Sequence, residues 1–168
     1  GAMAIDLFIQ SAGARLERVA GSAVFLSATA DGVPAALLHN VKHNRVLHER
    51  VVILTMVIEQ IPHVAEEDRI AVVDLGVGFY RVFLHYGFMD EIDVPNALAG
   101  VSQCGPPFSM MDTSFFLSRQ TVIPSDRPGM ALWREHLFAW MVRNAATAME
   151  FFKLPTNRVI EMGSQVEI

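Results

Sequence analysis

Residues 51–58 read VVILTMVI, eight positions of which six are β-branched and one, Thr55, is polar. A run this short and this uniformly apolar lacks the alternation of a half-wet strand, so it predicts a strand covered on both faces. Such a strand sits in the middle of a sheet with a layer on each side, which argues against a helical bundle and for an α/β domain. Upstream, residues 23–28 (AVFLSA) read as a short buried strand closed by Asp31-Gly32. Pro34 suits a first helical position, and residues 35–41 follow as a helix with Leu37, Leu38 and Val41 inward. Its polar continuation, residues 42–50, reads as a loop or frayed helix, and residues 6–18 as a weak amphipathic helix or a linker ended by Gly21-Ser22.

Downstream, residues 69–75 and 79–86 predict two strands, joined through Gly76-Val77-Gly78 as an antiparallel hairpin or bulge. Asp93 caps a helix over 94–103, which Gly105-Pro106-Pro107 ends. Residues 113–117 and 120–123 are short strands. Over 130–152, Trp133, Leu137, Trp140, Met141, Ala145, Ala148 and Phe152 recur in steps of three and four, the core stripe of one long helix stopped by Pro155. Residues 158–162 and 166–168 look like paired strands about a Gly163-Ser164 turn. Helical crossovers mixed with hairpins predict a mixed β-sheet with helices packed on it, a two-layer or three-layer α/β sandwich.

The chain has 168 residues, 52% hydrophobic and 18% charged, with a mean hydropathy of +0.33. One domain accommodates that length, and the apolar fraction excludes disorder for most of it. A single cysteine excludes a disulfide framework and any four-thiolate metal site. Thirteen basic against eighteen acidic residues leave a net charge of −5, which argues against nucleic-acid binding through phosphate neutralisation. The apolar stretch 130–152 is long enough to cross a bilayer but carries Arg134, Glu135, His136, Arg143, Asn144 and Glu150, so insertion is unfavourable. Gly1-Ala2-Met3 reads as an expression-tag remnant.

Reactive side chains are densest over residues 39–50 (HNVKHNRVLHER). His39 and His43 share a helical face, as zinc pairs do, but Asn40 stands where a metalloprotease places its glutamate, and no metal or other cofactor is expected. His39, Asn40, His43, Asn44, His48 and Arg50 are instead candidate ligand-binding residues, with Arg50 suited to bidentate phosphate contacts. The competing reading is a structural loop anchored on the central strand. Gly76-x-Gly78 has Arg81 where a dinucleotide fingerprint needs a third small residue, and no P-loop pattern exists. Cys104 beside a helix C-terminus would have a raised pKa and a structural role. Ser114 and Ser118 lack a glycine elbow, and Glu66-Glu67-Asp68 reads as a solvated loop. No complete catalytic constellation emerges, so an enzyme is not expected.

Four strings, ALLHNVKHNRVLHER at 36–50, GFYRV at 78–82 with YGFM at 86–89, TSFFLS at 113–118 and NRVIEMGSQVEI at 157–168, occur in the order found in the Kup-type potassium uptake transporters of the KUP/HAK/KT family. From about residue 20 onward the chain resembles the cytosolic C-terminal region that follows their last transmembrane helix. The resemblance implies a domain boundary near residue 21, with residues 4–20 a linker or helix after that span and 21–168 a single cytosolic α/β domain on the cytoplasmic side of the bacterial inner membrane. It implies potassium transport, as potassium–proton symport, by a transmembrane part that lies outside this chain and is its partner. It also implies a fold likened to universal stress proteins, a homodimer, and regulation that in some relatives uses cyclic di-AMP. The phosphate loop of ATP-binding stress proteins is missing. Two expectations follow: a non-catalytic regulatory and dimerisation module, or a sensor of a nucleotide or ion around residues 39–50. An acidic domain of this kind would be repelled by the anionic inner leaflet and hang below the bilayer.

Overall fold

A computed structural model describes residues 4–13, 15–27, 31–118, 150 and 152–162. The run 51–58 forms most of β2 (Val46–Glu59), and its interior positions Val51 to Leu54 are fully covered. Its neighbours are β1 (Glu17–Leu26) on one side and β4 (Phe79–Gly87) on the other, both parallel to it. Beyond β1 come β5 (Thr113–Ser118) and β6 (Val159–Met162), again parallel. Beyond β4 lies β3 (Ile70–Gly76), antiparallel to β4 through the hairpin at Val77-Gly78, so the six strands run β3-β4-β2-β1-β5-β6.

Taken in chain order, the five parallel strands occupy places 3-2-1-4-5, a doubly wound arrangement whose direction reverses between β1 and β5. Right-handed crossovers that run in opposite directions cover opposite faces. Accordingly α2 (Ala35–Asn44), which links β1 to β2, and α1 (Ile5–Ala12) cover one face; there Phe8, Ile9, Ala12, Ala36 and Leu37 pack on Phe25, Ile53, Phe79 and Phe116. The β4-to-β5 connection, with α3 (Val94–Ala99), covers the other, where Val94, Leu98, Val101, Cys104 and Phe108 meet Val24, Leu54, Val82 and Phe115, joined by Phe152 and Leu154. The sandwich is therefore three layers deep over its centre.

Several boundaries differ from the sequence expectation. β1 starts at Glu17, and Gly21-Ser22, expected to end a helix, is a bulge inside that strand: the register slips between Val19 and Ser22, with Gly21 at φ +100°. The polar segment 42–50 is neither loop nor frayed helix. α2 runs on to Asn44, Arg45 takes a left-handed φ of 56° as its C-cap, and β2 begins at Val46. α3 ends at Ala99 because Val101 and Cys104 turn back into the core. β6 pairs with β5, whereas its expected partner 166–168 lies outside the described residues, as do the strand expected at 120–123 and all of the long helix but Glu150 and Phe152. Among the described residues no helix is long and apolar enough to cross a membrane.

Candidate functional site

The six residues singled out from 39–50 occupy four places. His39 and His43, one turn apart on α2, stack with ring centroids 5.7 Å apart. Asn40 points the other way and is buried; its Nδ2 donates to Val46 O at 3.3 Å and its Oδ1 accepts from Asn44 Nδ2 at 2.8 Å. That pair ties the end of α2 to the start of β2 and supports the left-handed turn at Arg45. His48 lies on β2 with its ring edge-on to Phe116 at 6.2 Å. Its buried Nδ1 has no hydrogen-bond partner among the described residues, and burial lowers its pKa.

Arg50 spans from the sheet to the loop after α3. Its Nε donates to Ser22 Oγ at 2.7 Å and its Nη1 to Cys104 O at 2.9 Å and to Pro106 O. The guanidinium carbon lies 3.7 Å from the Phe108 ring centroid. Desolvation lowers its pKa, opposed by Cys104 and Tyr80. Four partners thus occupy the side chain, and the chemistry it performs here is to hold residues 104–108 on the amino end of β2. Cys104 lies in the turn beyond α3 and not at a helix end. Burial pushes its thiol up to about 11 against the opposing charge of Arg50, so the cause of the raised pKa is desolvation and not a helix dipole.

His48 and Arg50 stand at the amino end of the parallel strands, where β2 begins beside the start of β1. In open α/β sheets, ligand crevices lie outside the carboxyl ends, at the point where strand order reverses. On β4, level with Phe25 next to the last residue of β1, the structure places a residue not among the six candidates, Arg81, only 5% exposed. Its Nη2 donates to Gly32 O at 2.8 Å in the turn before α2, and its Nη1 is unpartnered among the described residues. Burial lowers its pKa, opposed by Asp31. The signal was present as a lone cation in the alternating run 79–86.

Among the described residues no group of three or more His, Cys, Asp or Glu side chains is placed to hold a metal ion. An open groove of about 420 Å³ lies between α1 and α2, lined by Phe8, Ala12, Leu16, Leu38 and Val41 with Arg15 and Lys42. A further polar cluster joins two loops: Asp90 accepts from Val64 N at 2.9 Å and Gly87 N at 2.6 Å, and pairs with His63 Nδ1 at 2.7 Å. Arg69 stands 3.8 Å from the same carboxylate and 4.4 Å from the Tyr86 ring centroid.

Residues 20–168 match the family described as "K+ potassium transporter C-terminal domain". The chain belongs to this family. Its relatives include the "Probable potassium transport system protein Kup 1" of Novosphingobium aromaticivorans, 66% identical over 168 residues, 100% of this chain and 26% of that protein. The corresponding Kup 2 of Rhizorhabdus wittichii is 62% identical over 167 residues, and the Kup of Erythrobacter litoralis 60%, each covering 99% of this chain and 26% and 27% of the relative. This transporter C-terminal domain therefore spans about a quarter of the length of the curated relatives it matches. No solved structure matches it.

Proposed function

We propose that this chain is the cytosolic, non-catalytic C-terminal domain of a Kup-type potassium uptake protein, and that it dimerises and regulates the transporter. Residues 21–168 form most of the domain, and residues 4–20, which add α1 and the start of β1 to the same sandwich, lead into it from the last transmembrane span. That transmembrane part carries potassium across the inner membrane, in symport with protons. The observation that carries this reading is the family match over 20–168. The engagement of Arg50 in internal hydrogen bonds adds support, since the densest cluster of reactive side chains serves packing. Potassium uptake by the full-length protein, with and without residues 20–168, tests it. Deletion is expected to change flux or its regulation; identical uptake and assembly would contradict the reading.

The stacked pair His39 and His43 on the surface of α2 favours the second reading, a sensor that binds a nucleotide such as cyclic di-AMP, or an ion, through His39, Asn40, His43, Asn44, His48 and Arg50. Thermal shift with cyclic di-AMP, ATP, AMP and zinc separates the two. A ligand at a hundredfold its dissociation constant adds about 2.7 kcal/mol to stability.

A further inference from the structure

We infer that the groove between α1 and α2 is a membrane-docking site that seats an anionic phospholipid of the leaflet facing the domain, its apolar part along the groove and its phosphate between Arg15 and Lys42. The inference rests on the proposed reading that residues 4–20 lead in from the last transmembrane span, and it adds a surface to that reading. The chain amounts to about a quarter of the length of its relatives, and its match, from residue 20 onward, is to a C-terminal domain. In that reading α1 is the first helix after the bilayer, so the groove it builds is the part of the domain nearest the headgroups.

The groove measures about 420 Å³, within the range of small-molecule sites, about 300–1,000 Å³. Its lining is apolar from Phe8 on α1 to Leu38 and Val41 on α2, and its only charged members are Arg15 and Lys42. Leu7, one turn before Ser11 on the same flank of α1, is 63% exposed, and Leu38 is 36% exposed. Two leucines left open beside an apolar groove with a cationic rim make the kind of amphipathic surface that lies in a bilayer interface.

Charge complementarity sets the sign of the occupant. Arg69 stands against Glu66 and Asp90, and Lys153 against Glu91, whereas Arg15 and Lys42 have no carboxylate partner among the described residues. Asp6 shares a flank of α1 with Gln10, away from Ser11, and Glu17 opens β1; neither lines the groove. Residues 33–48 hold no acid, while Lys42 and Arg45 lie within them. The net charge of −5, which on its own predicts repulsion from an anionic leaflet, is thus carried outside this face. Arginine takes a phosphate through two parallel hydrogen bonds and lysine as a point charge, so the two together hold a phosphodiester without giving up an existing partner. A second copy laid groove to groove would set these cations against themselves, whereas anionic headgroups neutralise them.

Co-sedimentation of the 168-residue chain with vesicles tests the inference, using phosphatidylcholine alone or in equal mixture with phosphatidylglycerol. Binding is expected only to the anionic vesicles, and to fall as salt rises. A basic side chain at an anionic surface is worth roughly fivefold in affinity, so Arg15→Glu combined with Lys42→Glu should weaken binding about twentyfold or more. Lys153→Glu, the same charge change beside Phe152 and Leu154 on the opposite face, should alter it little. A polarity-sensitive dye on Leu7→Cys should shift to the blue on anionic vesicles, and one on Ile160→Cys, exposed on the far edge strand, should not; Cys104 is buried and stays unlabelled. Binding to neither vesicle, equal binding to both, or binding indifferent to the double variant would overturn the inference. Self-association that depends on Leu38 would overturn it by giving the groove to a second copy, and stabilisation by inorganic phosphate alone would overturn it by giving the cations to a free anion. Each of these outcomes leaves the uptake test of the regulatory reading standing, whereas intact vesicle binding with uptake unchanged by deletion would overturn that reading and not the groove.

Discussion

Asp90 closes two loops upon each other, and its titration reports on that closure. Burial on its own would raise the carboxyl pKa, but the Val64 and Gly87 N–H groups, His63 and the charge of Arg69 outweigh it and hold the value at about 2, against 3.8 for a free side chain. A group depressed in the folded state stabilises it above the unfolded value and loses that contribution as pH falls from 3.8 toward 2. Asp90→Ala is therefore expected to cost about 1–3 kcal/mol at neutral pH. In denaturant titrations the gap to wild type should shrink through that acidic window; a gap that stayed constant there would refute the assignment. Arg50 and Cys104 give a second measurement at this scale. With its thiol buried and raised to about 11, Cys104 should react negligibly with an aromatic disulfide reagent at pH 8. Arg50→Lys, which cannot reproduce the fork to Ser22, Cys104 and Pro106, should lose roughly 1.5–3 kcal/mol and expose the thiol.

Among the elements, β1 depends on its bulge. A Cβ at Gly21 would lie 2.5 Å from Asp112 O, in a backbone conformation that side chains rarely adopt. Gly21→Ala should cost about 1–3 kcal/mol in thermal unfolding, and Leu54→Ala on the central strand about 2–5 kcal/mol. These two positions also mark what can be read from sequence. Residues 51–58 announce a buried central strand because seven of the eight positions there are buried and Val57 is half-buried, so the composition carries the whole signal. The first half of β1 is partly exposed, and Gly21 looks like a terminator when its φ serves a bulge. His48, Glu49 and Arg50 belong to β2 yet read as loop, because at the amino end of a sheet polar side chains meet loops and not helices. Of the six candidate residues, Asn40, Asn44 and Arg50 have partners 4 to 56 positions away, and no local pattern reveals the longest of these. Arg81 was legible only as an oddity in its strand, since its burial depends on the turn at Gly32 that packs over it.

At the scale of the whole molecule, a doubly wound sheet covered on both faces at its centre leaves β3 as an apolar border. For a chain that belongs to a transporter C-terminal family, the central proposal is that it dimerises and regulates the transporter. The most direct test of this claim is the molar mass of the full-length protein in detergent, measured by light scattering with and without residues 20–168. A dimer that becomes a monomer on deletion is the predicted result; an oligomeric state that does not change would contradict it.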